Sequence, residues 1–213
     1  MRKILILLLL ILTAPTQAET CTPEQDLKNR AVQILREGRG VGTGVLLNNT
    51  HILTAEHVLK RQPRDRIWVR TPHNVHHLIR ASVVASSHTA DMTLLALHPA
   101  ANEVLPQLAP LPISTLNKNE PVRHVGYAFG QLHRLGVLSG TYKGQQQTSH
   151  QQDIASHITL NAPAYGGDSG GPLFNCQGAL VGLEFGNRAH EGLPHEAYFI
   201  TPQSIQTLLG GVK

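Results

Sequence analysis

Cysteine is nearly absent: two in 213 residues, which excludes a small disulfide-stapled scaffold. Charged residues make up only 15%, against an ordinary 41% hydrophobic content, and that balance excludes a disordered chain. No run of five or more Lys and Arg occurs, so nothing argues for nucleic acid. Beyond Leu12 no apolar run approaches the roughly 20 residues of a membrane span. Glycine (19) and proline (13) follow no fixed period, which excludes a collagen-like chain. What remains is a globular body of one domain, or of two halves, able to bury roughly 70% of its unfolded surface without staples.

The N-terminus reads separately from the fold. Met1-Arg2-Lys3 is a positive start, Ile4–Leu12 is unbroken apolar sequence, and Thr16-Gln17-Ala18 offers small residues for cleavage. This three-part pattern predicts a secretory signal peptide over 1–18 and a mature chain of 19–213. An uncleaved anchor fits less well because the apolar stretch is short. Glu19-Thr20 before Cys21 makes a poor lipoprotein site. Half of the formal charge of +4 leaves with Arg2 and Lys3. Export implies an oxidising compartment, where one Cys21–Cys176 bridge is the default and two free thiols the alternative.

Thr22-Pro23-Glu24-Gln25 predicts a short helix start, with Pro at the first helical position and acids in the first turn. Short apolar runs then recur. They predict strands near 31–36, 41–47, 51–54, 66–70, 78–86 and 92–97, and a second set near 122–127, 132–139, 154–160, 172–175, 179–185 and 197–200. Such spacing predicts an all-β sandwich or barrel. Between the sets, residues 98–121 hold Pro99, Pro106, Pro110, Pro112 and Pro121, which excludes a central strand or long helix and predicts a linker between two β bodies, 31–97 and 122–200. Thr201-Pro202 opens a C-terminal helix over 202–210, stopped by Gly210-Gly211. Gly42 and Gly44 mark a bulge or a close backbone approach, and Trp68 reads as core.

The chemistry is concentrated in three places. Gly166-Gly167-Asp168-Ser169-Gly170-Gly171-Pro172 sets one serine on a glycine-rich turn, where backbone N–H groups can converge on a developing oxyanion. A serine hydroxyl needs an adjacent base. Ile52-Leu53-Thr54-Ala55-Glu56-His57 puts a histidine just after an apolar strand, and context rather than count selects it among 13 histidines. Ala90-Asp91-Met92-Thr93-Leu94-Leu95 puts a carboxylate at the head of another, where it can orient an imidazole. Asp65, between Arg64 and Arg66, reads instead as a solvated partner of those arginines.

These segments, in the order His, Asp, Ser, resemble the three signatures of the trypsin-like (chymotrypsin-fold) serine peptidases of bacterial secreted type. The resemblance runs from about Val41 to the C-terminal helix. It implies two six-stranded antiparallel β-barrels with the cleft between them, His57 and Asp91 on the first and Ser169 on the second. It implies Ser169 as nucleophile, His57 as base and then acid, Asp91 as orienter, and the N–H groups of Gly167 and Ser169 as the oxyanion hole. It also implies protein or peptide substrates, no cofactor and a monomer. The chain is too short for a peptidase body plus an appended peptide-binding module.

Some positions depart from the family. Glu56 replaces a small residue and sets a second acid beside the base. No activation sequence follows the signal, and Asp168 has no N-terminal partner in view, so activity is expected once 1–18 is removed. The family's pocket base falls at Pro163, in Asn161-Ala162-Pro163-Ala164-Tyr165, where no acid stands. The pocket is assigned to Pro163, Ala164 and Tyr165 with Leu183, Glu184 and Phe185, alternation leaving open whether Glu184 or its two neighbours face the cleft. The expectation is cleavage after small or medium apolar residues (the P1 residue) in the periplasm or outside the cell. The rivals are a non-catalytic binding protein on this fold and an esterase. His73, His76 and His77 have helical spacing, but Pro72 and the β pattern argue for a loop and no metal.

Overall fold

The computed structural model describes residues 20–60, 67–100, 105, 107–147, 154–188 and 194–212. The export segment read at 1–18, and Asp65, lie outside them.

Six strands, β1 (Ala31–Arg36), β2 (Arg39–Leu46), β3 (His51–Ala55), β4 (Ile67–Thr71), β5 (Asn74–Ser87) and β6 (Met92–His98), close an antiparallel barrel in the order β1-β2-β3-β6-β5-β4. Six more, β7 (Pro121–Tyr127), β8 (Leu135–Gln147), β9 (Ile154–Leu160), β10 (Pro172–Phe174), β11 (Leu180–Arg188) and β12 (His195–Ile200), close a second as β10-β11-β12-β9-β8-β7. Closure removes the exposed strand edges that an open sheet would present. Val32, Ile34, Ile52, Ile67, Val69, Ile79 and Leu95 fill the first barrel, and Val122, Ile158, Leu173, Val181 and Phe199 the second. Each such side chain contributes about 1.5–3 kcal/mol on burial.

Each barrel has one tight turn built on an asparagine. Asn48 Oδ1 accepts from the N–H of Thr50 and of His51, both at 2.9 Å, and so bends β2 into β3. Asn175 Oδ1 accepts from Ala179 N at 2.9 Å between β10 and β11. Both side chains replace a missing backbone partner within the turn. The proline-rich connection is tied to both barrels at neighbouring residues. Leu111 N donates to Leu47 O, and Leu180 N donates to Pro112 O, each at 2.8 Å.

Three helices complete the chain: α1 (Glu24–Lys28), α2 (Glu56–Leu59) and α3 (Pro202–Gly210). Thr201 caps α3, its side chain accepting from Ser204 N at 3.3 Å. Cys21 and Cys176 form a disulfide. Around it Thr22 N donates to Cys176 O, and the Arg123 guanidinium donates to the carbonyls of Thr22 and Cys176.

The structure differs from the sequence reading in several elements. Pro23 caps α1 instead of opening it. Leu132–Arg134 is a 3-10 turn, and β8 starts later and runs to Gln147. Its polar end is held by pairing with β9, not by an apolar face. Trp68 is 38% exposed, because Ile67 and Val69 take the inward positions of β4 and parity turns the indole out. His76 and His77 are successive residues of β5 and so project to opposite faces, while His73 Nε2 meets Asn29 O at 3.1 Å.

Candidate active site

His57 and its neighbour Glu56 are held by three hydrogen bonds to one residue. β3 ends at Ala55, and α2 carries His57 into the seam. Asp91, just before β6, accepts on its backbone oxygen from Glu56 N (2.8 Å), on Oδ1 from His57 N (2.8 Å) and on Oδ2 from His57 Nδ1 (2.6 Å). Asp91 is 4% exposed and has φ +50°, a left-handed backbone that aspartate tolerates better than most residues. Donation of Nδ1–H to Asp91 leaves the lone pair on Nε2, the state a general base requires. Burial pulls the His57 pKa down. The Asp91 hydrogen bond and charge, with the more distant charge of Glu184, outweigh it and leave the pKa above the ordinary histidine value. Glu56 does not lie against the base: its Oε2 is 2.7 Å from His88 Nδ1.

The serine loop is docked on the first barrel by backbone contacts. Thr43 N donates to Ser169 O (2.9 Å), Thr43 Oγ1 donates to Gly167 O (2.7 Å), and Tyr127 N donates back to Thr43 Oγ1 (3.0 Å). Thr54 Oγ1 in turn donates to Thr43 O at 2.7 Å, tying β3 to the same residue. Thr43 thus joins the strand that leads to His57 to the loop that carries Ser169. No motif marked it, although the flanking Gly42 and Gly44 signalled close approach. Gly167 has φ +104°, and a Cβ there would collide with Tyr127 O and Gly130 N. Gly170 has φ +79°, and a Cβ there would strike Thr43 O and Thr54 Oγ1. The glycines are therefore needed both for backbone conformation and for the approach of the two barrels.

Asp168, 3% exposed, is satisfied within its own loop: Oδ2 accepts from Tyr165 N at 2.8 Å, and Asp168 N donates to Tyr165 O at 3.0 Å. Burial pushes its pKa up to about 6, against the lowering effect of the Tyr165 bond.

The residues assigned to the pocket divide. Leu183 is fully buried in the core cluster that includes Val125 and Phe174, and Phe185 packs against the same cluster. Neither is the group beside the nucleophile. Tyr165 is 42% exposed and stacks on Phe129 at 4.5 Å between ring centroids, with Arg134 over the Phe129 ring. Pro163 is half-buried, and Ala164 is buried with Phe199 in the second barrel.

Glu184 is the assigned pocket residue whose backbone is bonded to the serine loop. It is 1% exposed, and its backbone partners there are Gly170 and Gly171. Burial, then the Asp168 charge, push its pKa up to about 8. A register shift between Glu184 and Gly186 in β11 breaks the simple alternation, which is why sequence parity left its direction open. Phe199, its cross-strand partner on β12, was not foreseen as a neighbour of the site, since only strand register reveals it. Among the described residues no group of three or more His, Cys, Asp or Glu could hold a metal ion.

Two six-stranded barrels, with an Asp-held imidazole and a glycine-framed serine at their seam, define the class of chymotrypsin-fold serine peptidases. The family model for the trypsin-like peptidase domain matches residues 42–183, and the chain belongs to that family. Among curated relatives, serine protease HTR4 of Bos taurus is 28% identical over 66% of this chain and 27% of its own length. A DegP-like periplasmic serine endoprotease of Pseudomonas fulva is 29% identical over 70% of this chain and 29% of its own. The chain therefore spans less than a third of the length of these two relatives. Among solved structures, the Rv3671c protease of M. tuberculosis in its active form superposes with TM-score 0.69 at 18% identity, covering 98% of this chain and 94% of that one. The MamO protease domain of Magnetospirillum magneticum gives 0.67 at 17%, over 87% and 98%. These two likenesses bear on the fold.

Proposed function

We propose that the chain is an exported serine endopeptidase that hydrolyses peptide bonds through an acyl-enzyme on Ser169. Ser169 Oγ attacks the carbonyl carbon while His57 Nε2 takes its proton. The carbonyl oxygen becomes an oxyanion facing the N–H groups of Gly167 and Ser169, each worth about 3 kcal/mol in the transition state. His57 returns the proton to the departing amine. Water then attacks the ester by the same route in reverse. Asp91 holds the imidazole and balances its charge.

The observation that carries this reading is the 2.6 Å contact of Asp91 with His57 Nδ1 in the seam where Thr43 docks the Ser169 loop. The family's P1 pocket suits small or medium apolar residues, because Pro163 and Ala164 bring no charge to its base. Asp168, partnered by Tyr165 N, supports a loop that is set without a new amino terminus. The pattern at 1–18 and the periplasmic relative support export of the 19–213 body. No helix among the described residues is long and apolar enough to cross a membrane.

A fluorophosphonate probe should label purified 19–213 without prior clipping, and the protein should cleave peptides. Ser169→Ala should lose both properties. Equal labelling of the two proteins refutes the nucleophile. Labelling without peptide turnover favours the esterase.

A further inference from the structure

Glu184 is the one acidic residue of the assigned pocket, and the triad does not explain its role. Its backbone is tied to the two residues after Ser169: Gly170 N donates to Glu184 O at 2.7 Å, and Glu184 N donates to Gly171 O at 2.9 Å. Its pairing with Phe199 puts both side chains on one face of the β11–β12 sheet. Phe199 is fully buried beside Ala164, so a carboxyl stands out from a wall that is otherwise apolar there. That carboxyl is 1% exposed, and its Oε2 has no hydrogen-bond partner among the described residues. A buried polar atom is costly until a partner arrives, and the backbone bonds to Gly170 and Gly171 set this strand position directly against the Ser169 loop.

We propose that Glu184 determines P1 specificity, its buried Oε2 pairing with an uncharged polar side chain of small or medium size such as Ser, Thr or Asn. The inference rests on the peptidase reading and keeps its P1 size but revises its apolar preference: among side chains that fit, those with a polar tip outrank their apolar isosteres. Size follows from position. A carboxyl next to the nucleophile is met by a group one or two carbons beyond the P1 Cα, so a long chain must pass it. Preference follows from solvation. Val in place of Thr leaves Oε2 buried and unpaired, and sites built to pair a polar group reject analogues that lack it.

The test uses peptides differing only at P1, in the pairs Thr/Val, Ser/Ala and Asn/Leu, with Lys as a further competitor. The 19–213 protein should favour the polar member of each pair by about tenfold or more in kcat/KM. Glu184→Gln, which keeps a donor and an acceptor, should hold that order. Glu184→Leu should erase or reverse it. Fluorophosphonate labelling of each variant reports whether Ser169 remains functional. Native protein that favours Val over Thr, or Lys over every polar residue, overturns the proposal without any variant, and so does a preference that survives in a labelled Glu184→Leu protein. Labelled protein with flat ratios sinks this inference alone. Protein that neither labels nor cleaves sinks the peptidase reading and the inference with it.

Discussion

Asp91 holds an unfavourable backbone conformation for the three bonds it makes to Glu56 and His57. The trade suggests a sharp experiment. Asp91→Asn keeps the shape but presents an amide to Nδ1, which favours the wrong tautomer, and kcat should fall by about 10⁴-fold with little change in KM. The pH profile tests the same contact. His57 acts as base only when neutral, and its pKa is raised, so activity should fall with decreasing pH through a midpoint above the ordinary histidine value. A midpoint below 6.5 in kcat/KM contradicts the geometry. The three motif residues were readable in sequence because each belongs to a short local string. Glu184 was not, because its direction depends on a register shift that composition does not encode.

At the scale of elements, the serine loop and β2 meet through Thr43. Thr43→Val is nearly isosteric but leaves Gly167 O and Tyr127 N without their partner. Each buried orphan costs about 1–3 kcal/mol. Stability measured in urea should drop accordingly, and kcat should fall by about tenfold or more because the oxyanion donors shift. Unchanged kcat would show that the loop holds its form without the strand. Most strands were legible as apolar runs between turn residues. The far end of β8 was not, because Gln145, Gln146 and Gln147 are held by backbone pairing to β9 alone. Trp68 misled for the converse reason: a large apolar side chain suggests burial, but strand parity decides it.

For the whole molecule, pH acts on stability from both sides. His124 is buried under β10, its Nδ1 3.2 Å from Pro172 O and its ring edge-on to Phe199. Burial lowers its pKa from 6.5 to about 4. The folded state therefore resists the proton that the unfolded chain accepts, and stability present above pH 6.5 is lost as pH falls toward 4, by about 3 kcal/mol. Asp168 and Glu184, with raised pKa values, act in the opposite sense: their contribution is full at low pH and lost as pH rises toward about 6 and about 8. Urea unfolding at pH 7 and pH 4 should give a smaller acid loss for His124→Gln than for the native chain, and equal losses would remove His124 as the cause. The two-barrel plan has a further consequence. In the proposed mechanism, proton acceptor and nucleophile belong to separately closed shells, so hydrolytic power is a matter of alignment across a joint. A substitution at that joint can silence the molecule while both shells keep their melting behaviour, and a thermal screen would pass such a variant as sound.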